Sequence, residues 1–234
     1  MRRALNVDVA MYARAFGMLA RHPSILVMPL LAAVIELLMD QISPFFTDAV
    51  GGMGSFLFTI VVQLAYGFCF GVAVIGASNV WRGRHASFDE AWEEGRHKAG
   101  GILIATVGFY FLIYAAGYIA SFVGSPILQI VLQLVVAFFL IYTIPAAAIG
   151  GMPGNLAIGA SFRAVREGYL GAAILAIVFV LLWILLPEYA GRLATPLGVI
   201  GYQLTVAVVK AVALGYLAFP FAKQYDDVAF RGYW

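Results

Sequence analysis

Charged side chains are scarce in this sequence. They make up 11% of 234 residues against 63% hydrophobic, and the mean hydropathy is +0.95. A water-soluble chain of this length cannot hide so much apolar surface in one core, so its solvent is lipid. The basic residues are too few and too scattered between apolar runs for a nucleic-acid partner. Cysteine is nearly absent, and the lone Cys69 excludes an internal disulfide. Histidine is restricted to His22, His85 and His97, all in the connections between apolar runs. None has metal-ligand spacing, and none lies in an apolar run where it would serve a serine nucleophile. Gly51-Gly52-Met53-Gly54 precedes no basic residue, which excludes a phosphate-cradling loop there. With no catalytic constellation in view, neither an enzyme nor a bound cofactor is expected.

What is present is a joint between two kinds of helix, clearest in residues 153–186. On a 100° wheel Ala157, Ile158, Phe162, Ala164 and Val165 share one arc, with Arg163, Arg166 and Glu167 opposite and Leu156 out of pattern. After Gly168 every residue to Leu186 is apolar, aromatic or small, enough to cross a bilayer core. A helix lying on the membrane surface thus feeds into one that spans it. The same joint recurs upstream. Residues 7–21 place Met11, Tyr12, Ala15, Phe16, Met18 and Leu19 opposite Arg14 and Arg21. Residues 87–98 start at a capping box, Ser87 with Glu90, and carry a narrow arc of Phe88, Ala91, Trp92 and Gly95.

The spans expected are residues 24–47, 56–80, 102–123, 127–149, 169–186 and 197–222. The turn Gly124-Ser125-Pro126 makes the third and fourth an antiparallel hairpin, and residues 187–196 read as a polar turn. The fold expected is an all-α membrane protein: six transmembrane helices as three like-oriented hairpins, each preceded by a cytoplasmic interfacial helix. The repeat is marked by Arg21, Arg96 and Arg166, spaced 75 and 70 residues apart. Arg2 and Arg3 would open a signal peptide. However, the apolar run begins more than twenty residues on and is interrupted by Glu36 and Asp40, so the N-terminus is expected to be retained.

Charge distribution sets the orientation. Of 14 Lys and Arg, twelve fall in the N-terminus, the two surface-helix connections and the C-terminal tail; the exceptions are Arg192 and Lys210. The positive-inside rule puts both termini in the cytoplasm and the protein in the inner membrane. Arg14, Arg21, Arg82, Arg84, Arg163 and Arg166 then face anionic headgroups, and Tyr225, Tyr233 and Trp234 suit a headgroup belt.

Lys210 lies about twelve residues from either end of its span, where a bare ammonium costs roughly 3 kcal/mol or more. Glu36 lies at the same depth in the first span, with Asp40 one turn further out. If the hairpins close into a ring, the first and last spans are neighbours, so an intramembrane Glu36–Lys210 pair is expected, with Asp40 as second choice. Gln63, Asn79, Gln129, Gln133 and Gln203 at membrane depth read as interhelical hydrogen-bond formers. Gly67 with Gly71, and Gly117 with Ser121 and Ser125, read as close helix contacts.

One segment carries a resemblance. The run Ala157-x-x-Ala160-Ser161-Phe162-x-x-Val165-Arg166-x-Gly168, after a proline-ended span at Pro145, resembles a family of six-span bacterial and archaeal membrane proteins. That family is grouped around the membrane domain of glycerophosphoryl diester phosphodiesterases and related uncharacterised domains. Ser87-Phe88-Asp89-Glu90-Ala91 is similar to its earlier surface helix. The chain departs from the pattern at Ala146-Ala147-Ala148-Ile149-Gly150, where that family often has an acidic residue. The resemblance implies the six-span layout and no hydrolase activity, since the soluble phosphodiesterase domain has no counterpart in these residues. The expected role is a non-enzymatic scaffold or accessory subunit packing against membrane lipids, other membrane subunits or a second copy. A small transporter or channel lined by Glu36, Asp40 and Lys210 is the other reading.

Overall fold

The computed structural model describes residues 8–85 and 87–229, without the side chains of residues 46–50 and 52–56. All regular structure among them is helical. In chain order the helices are α1 (Ala10–Arg21), α2 (Val27–Val50), α3 (Gly52–Trp81), α4 (Phe88–His97), α5 (Ala99–Ser121), α6 (Pro126–Leu140), α7 (Thr143–Ala148), α8 (Gly154–Glu167), α9 (Tyr169–Phe179), α10 (Leu186–Ala194) and α11 (Gly198–Ala229). A 3-10 turn, Pro23–Leu26, leads into α2, and a π-helical segment, Val180–Leu185, joins α9 to α10.

Five helical stretches are long and apolar enough to cross a membrane: Pro23–Phe45, Leu57–Trp81, Ala99–Ser121, Pro126–Ala148 and Tyr169–Ala229. The last is 61 residues and is not straight. It turns at Gly198, whose φ of 78° is open to glycine. It then doubles back so that Gly191 on α10 sits against Tyr202 and Val206 on α11. Residues 187–196, expected as a polar turn, are therefore mostly helix. The reversal lies two residues past Pro196, and Arg192 pairs with Glu188 one turn before it at 2.5 Å. Pro187 brings no N–H to the carbonyl of Trp183, and the helix relaxes over Val180–Leu185 into wide π turns.

The helices touch around a closed circuit: α2 on α3, α3 on α5, α5 on α6, α6 on α9, α9 on α11, and α11 back on α2. The α3–α5 contact is close because glycine permits it. A Cβ at Gly67 would overlap Thr106, and one at Gly71 would lie 2.8 Å from Ile102. Inside the circuit Phe109, Phe179, Phe221 and Phe70 form a chain of edge-to-face rings at 5.7, 6.1 and 5.1 Å. Outside it α2 exposes Leu30, Leu31, Val34 and Leu38 while burying Met28, Ala32 and Ala33. That is the division a lipid-facing helix requires.

The expected span 127–149 corresponds to Pro126–Ala148, with its helix interrupted at residues 141–142. Pro145 has no N–H for the carbonyl of Ile141, so α6 stops at Leu140 and α7 begins at Thr143. Ser161 of α8 repairs the break: its Oγ accepts from Tyr142 N at 3.1 Å and donates to the carbonyl of Phe139 at 2.9 Å. The serine of the resembling run is thus the cap of the proline break before it.

The surface helices are seated differently from expectation. Their apolar arcs are turned onto the bundle: Met11, Ala15 and Leu19 in α1, Ala91 and Gly95 in α4, and Ala157, Ala160, Ser161, Ala164 and Val165 in α8 are buried. Phe16 and Phe162, expected on those arcs, are 71% and 44% exposed. Small residues dominate the buried faces of α4 and α8, so these two helices seat closely, whereas α1 also buries Met11 and Leu19. The tail is also displaced from expectation. Helix α11 runs on to Ala229 and buries Tyr225 beside Tyr142, so its ring is covered by protein; Tyr233 and Trp234 lie outside the described residues.

Removing the Ser161 hydroxyl frees a buried N–H and a buried carbonyl together. Ser161→Ala is expected to lower stability in mild detergent by about 1–3 kcal/mol, read by thermal or SDS-titrated unfolding. An unchanged midpoint would mean that the break is satisfied by other groups.

Candidate functional site

Helices α2 and α11 meet through small residues. Ala33, Ala207 and Ala211 form a patch of their own with Leu37 beside it. Beside that patch Lys210 Nζ donates to Glu36 Oε1. The other carboxylate oxygen, Oε2, accepts from the Tyr66 hydroxyl at 2.5 Å. The ammonium also stands 5.7 Å from the Tyr66 ring centre and 5.8 Å from that of Trp183, and the two rings meet edge to face at 4.9 Å. Glu36 lies near the middle of the Pro23–Phe45 stretch, and both charged side chains are largely enclosed, 13% and 21% exposed. Each charge is therefore met by more than one neighbour: the carboxylate by an ammonium and a phenol, the ammonium by a carboxylate and two π systems.

The structure brings Lys210 to Glu36 and not to Asp40, which lies one turn away, is exposed and has no ion pair among the described residues. Further along α2, Gln41 donates to Gln203 of α11 at 3.2 Å, and Gln63 donates to Tyr114 at 2.8 Å. The side-chain amides of Gln129 and Gln133 lie over Gly117 on α5 and make no hydrogen bond to another described residue. Asn79 is buried near the end of α3, where its backbone carbonyl accepts from Arg84 N at 2.9 Å.

Sequence reasoning missed Tyr66 and Trp183. Tyr66 sits three residues from Gln63 in an apolar run, and Trp183 precedes Pro187 by four; neither spacing by itself points at Glu36. It also missed a second polar knot at the arginine-rich end. There the amide of Gln224 is satisfied on both sides, donating to the Tyr12 hydroxyl at 3.1 Å and accepting from that of Tyr142 at 2.9 Å. Burial pushes the Tyr12 phenol well above its ordinary value, so it stays neutral and ties α1 to α11. Lys98 likewise ties α4 to α7, donating to Glu94 at 2.6 Å and to the last α7 carbonyl, Ala148, at 2.7 Å.

The six arginines expected at headgroups divide into two sets. Arg14 pairs with Asp8 and lies 5.7 Å from the Trp81 ring, and Arg82 donates to both oxygens of Asp226 at 3.0 and 3.3 Å. Both are engaged by the protein itself. Arg21, Arg84, Arg163 and Arg166 are exposed and have no ion-pair partner among the described residues. The histidines do not converge: His97 is 78% exposed and stands 4.0 Å from Glu93, and no group of three metal-ligating side chains forms among the described residues.

Breaking the central pair one side at a time strands a charge in lipid. Lys210→Met is expected to cost about 3–5 kcal/mol, and Glu36→Gln with Lys210→Met together much less than the sum of the two. Unfolding measurements on the double-mutant cycle check this, and simple additivity would mean that the two groups are not coupled. Comparison with known proteins adds no relative: no protein family, no curated protein and no solved structure matches this chain.

Proposed function

We propose that this chain is a non-enzymatic integral membrane scaffold or accessory subunit of the inner membrane, crossing six times with both termini in the cytoplasm. The reversal at Gly198 supports reading the 61-residue stretch as two crossings, since unbent it would run about 90 Å against a core of about 30 Å. The seating of the surface helices supports three related units. Each lies against the second helix of the hairpin before it: α4 on α3, α8 on α6 and, around the circuit, α1 on α11. The sequence resemblance of residues 157–168 to the six-span family of glycerophosphoryl diester phosphodiesterase membrane domains agrees with this reading.

The observation that carries the scaffold reading is the contrast between the two polar regions. At mid-membrane the charges of Glu36 and Lys210 are answered by neighbours, whereas Arg21, Arg84, Arg163 and Arg166 are answered by none among the described residues. Groups left unanswered on the surface are the ones available to lipid phosphates or to a partner. Purification in mild detergent tests the reading. Retained anionic lipid or a co-purifying membrane subunit is expected, and a lipid-indifferent monomer would sink it. For the topology, an impermeant thiol reagent applied to intact cells is expected to spare a cysteine placed at Arg96.

Two observations favour a second reading, a small transporter. Asp40 is exposed beside the pair, and the π-helical segment carrying Trp183 is the kind of irregularity that recurs at functional sites. Ion or substrate flux in proteoliposomes that vanishes on Glu36→Gln would establish it and displace the scaffold.

A further inference from the structure

The three helix faces that meet at the central pair are built differently on its two sides. Toward the arginine-rich end the stripe of each central residue is apolar and buried. Ala32 lies one turn from Glu36 on α2, Phe70 and Ala73 one and two turns from Tyr66 on α3, and Leu214 and Leu217 one and two turns from Lys210 on α11. Toward the other end the same stripes turn polar. Asp40 follows Glu36 by one turn, Gln63 and Thr59 precede Tyr66 by one and two, and Gln203 precedes Lys210 by two. Asp40 and Thr59 are exposed, and Gln63 and Gln203 are half-buried. The pair is closed off from one end of the bundle and approached by polar side chains from the other.

Asp40 is not turned to lipid. The exposed aliphatic side of α2 is that of Leu30, Leu31, Val34 and Leu38, whereas Asp40 shares the stripe of Glu36 and Ala33, which face Lys210 and the α11 alanines. Its carboxylate interacts electrostatically with Glu36, Lys210 and Tyr66, as a group turned toward the pair would. A carboxylate that points into the bundle and is still exposed at membrane depth is tolerable where water reaches it. Gln63 points the same way: its Nε2 donates to Tyr114 at 2.8 Å, while its Oε1 is enclosed and accepts no hydrogen bond from a described residue. An enclosed acceptor among polar neighbours is a place that holds water. Lys210 is committed to Glu36, so Asp40 leaves these faces with one uncompensated negative charge. We propose that α2, α3 and α11 enclose a water-filled approach, open to the outer side and ending at the Glu36–Lys210 pair, and that Asp40 makes it selective for small cations. This rests on the orientation that puts the arginines in the cytoplasm, and it gives the transporter reading a one-sided entrance and a class of solute.

The experiment is thiol labelling of the full chain in intact cells. Thr59→Cys and Gln63→Cys are made singly, and the unaltered chain, whose own Cys69 is buried, is the blank. The reagents are two membrane-impermeant methanethiosulfonates, one cationic and one anionic. Both positions are expected to react from outside. Val61→Cys and Leu38→Cys, at exposed positions on the lipid-facing sides of α3 and α2, should not react, because a thiol in lipid does not form the thiolate. At Gln63→Cys the cationic reagent is expected to outpace the anionic one about tenfold, each rate taken relative to a free thiol in solution. Adding Asp40→Asn should bring the two rates to parity. Labelling of Val61→Cys and Leu38→Cys as fast as of the other two would overturn the approach, as would no labelling of Thr59→Cys and Gln63→Cys from either side of the membrane. Equal rates for the two reagents with Asp40 in place would overturn its selectivity. Labelling of Thr59→Cys and Gln63→Cys only in permeabilised cells, with Arg96→Cys labelled in intact ones, would reverse the orientation and overturn the outward opening. Labelling reads the approach whether or not flux is found, so this inference and the transporter reading can fail separately.

Discussion

The constraint from which this structure follows is that nothing inside a bilayer can borrow a hydrogen bond from water. Glu36 and Lys210 sit on the first and last long apolar helices, 174 residues apart, and neither charge is tolerable at that depth alone. Pairing them requires α2 and α11 to be neighbours. The alanine patch of Ala33, Ala207 and Ala211 lets the two backbones come close enough for it. Closing the ends of the chain together turns a string of hairpins into a circuit, and the edge-to-face rings of Phe70, Phe109, Phe179 and Phe221 fill its middle. A pair of this kind is not a source of large net stability, because desolvation offsets most of its attraction. Its effect is selective: arrangements that separate α2 from α11 leave two bare charges in lipid.

The same constraint explains how prolines are accommodated. Pro44 and Pro220 lie inside helices that continue through them, but at two other prolines the missing backbone donor has a visible consequence. At Pro145 the helix breaks and Ser161 supplies both a donor and an acceptor to the broken ends. At Pro187 it widens into π turns, which carry Trp183 against Tyr66 and under Lys210. An irregularity in one helix thus completes the enclosure of a charge on another. This links local backbone chemistry to the electrostatics of the central pair.

Much of this was legible in the residues because lipid makes the patterns severe. A charge in an apolar run needs a partner, and only one matching depth was on offer for Lys210. The alternation of charged, amphipathic and wholly apolar segments marked where surface helices meet crossings. What was not legible depended on distance and side-chain direction. Tyr66 lies in an apolar run and becomes a ligand of Glu36 only because α3 packs on α2. Residues 187–196 read as a turn on their proline and charge content, yet i,i+4 pairing of Glu188 with Arg192 and the glycine at Gly198 keep them helical. Amphipathic arcs identified the surface helices but not what covers them. The arcs are rich in alanine and glycine, which suit a neighbouring helix better than a headgroup layer, and that composition was the available signal for Ala157, Ala160 and Ala164.

The two ends of the bundle are built unequally, and this bears on what the protein can do. The arginine-rich end is cross-tied by Gln224 with Tyr12 and Tyr142, by Arg82 with Asp226, and by Lys98 on α7. Three surface helices bury small residues against it. At the opposite end Tyr118, Phe122, Ile127, Leu193, Val199 and Ile200 are all more than half exposed, and the polar contacts there are lateral pairs such as Gln41 with Gln203. In water such an end would collapse or aggregate; in lipid its apolar surface is already solvated, which leaves van der Waals packing to hold those helices together and the polar ties between elements concentrated, among the described residues, at the arginine-rich end.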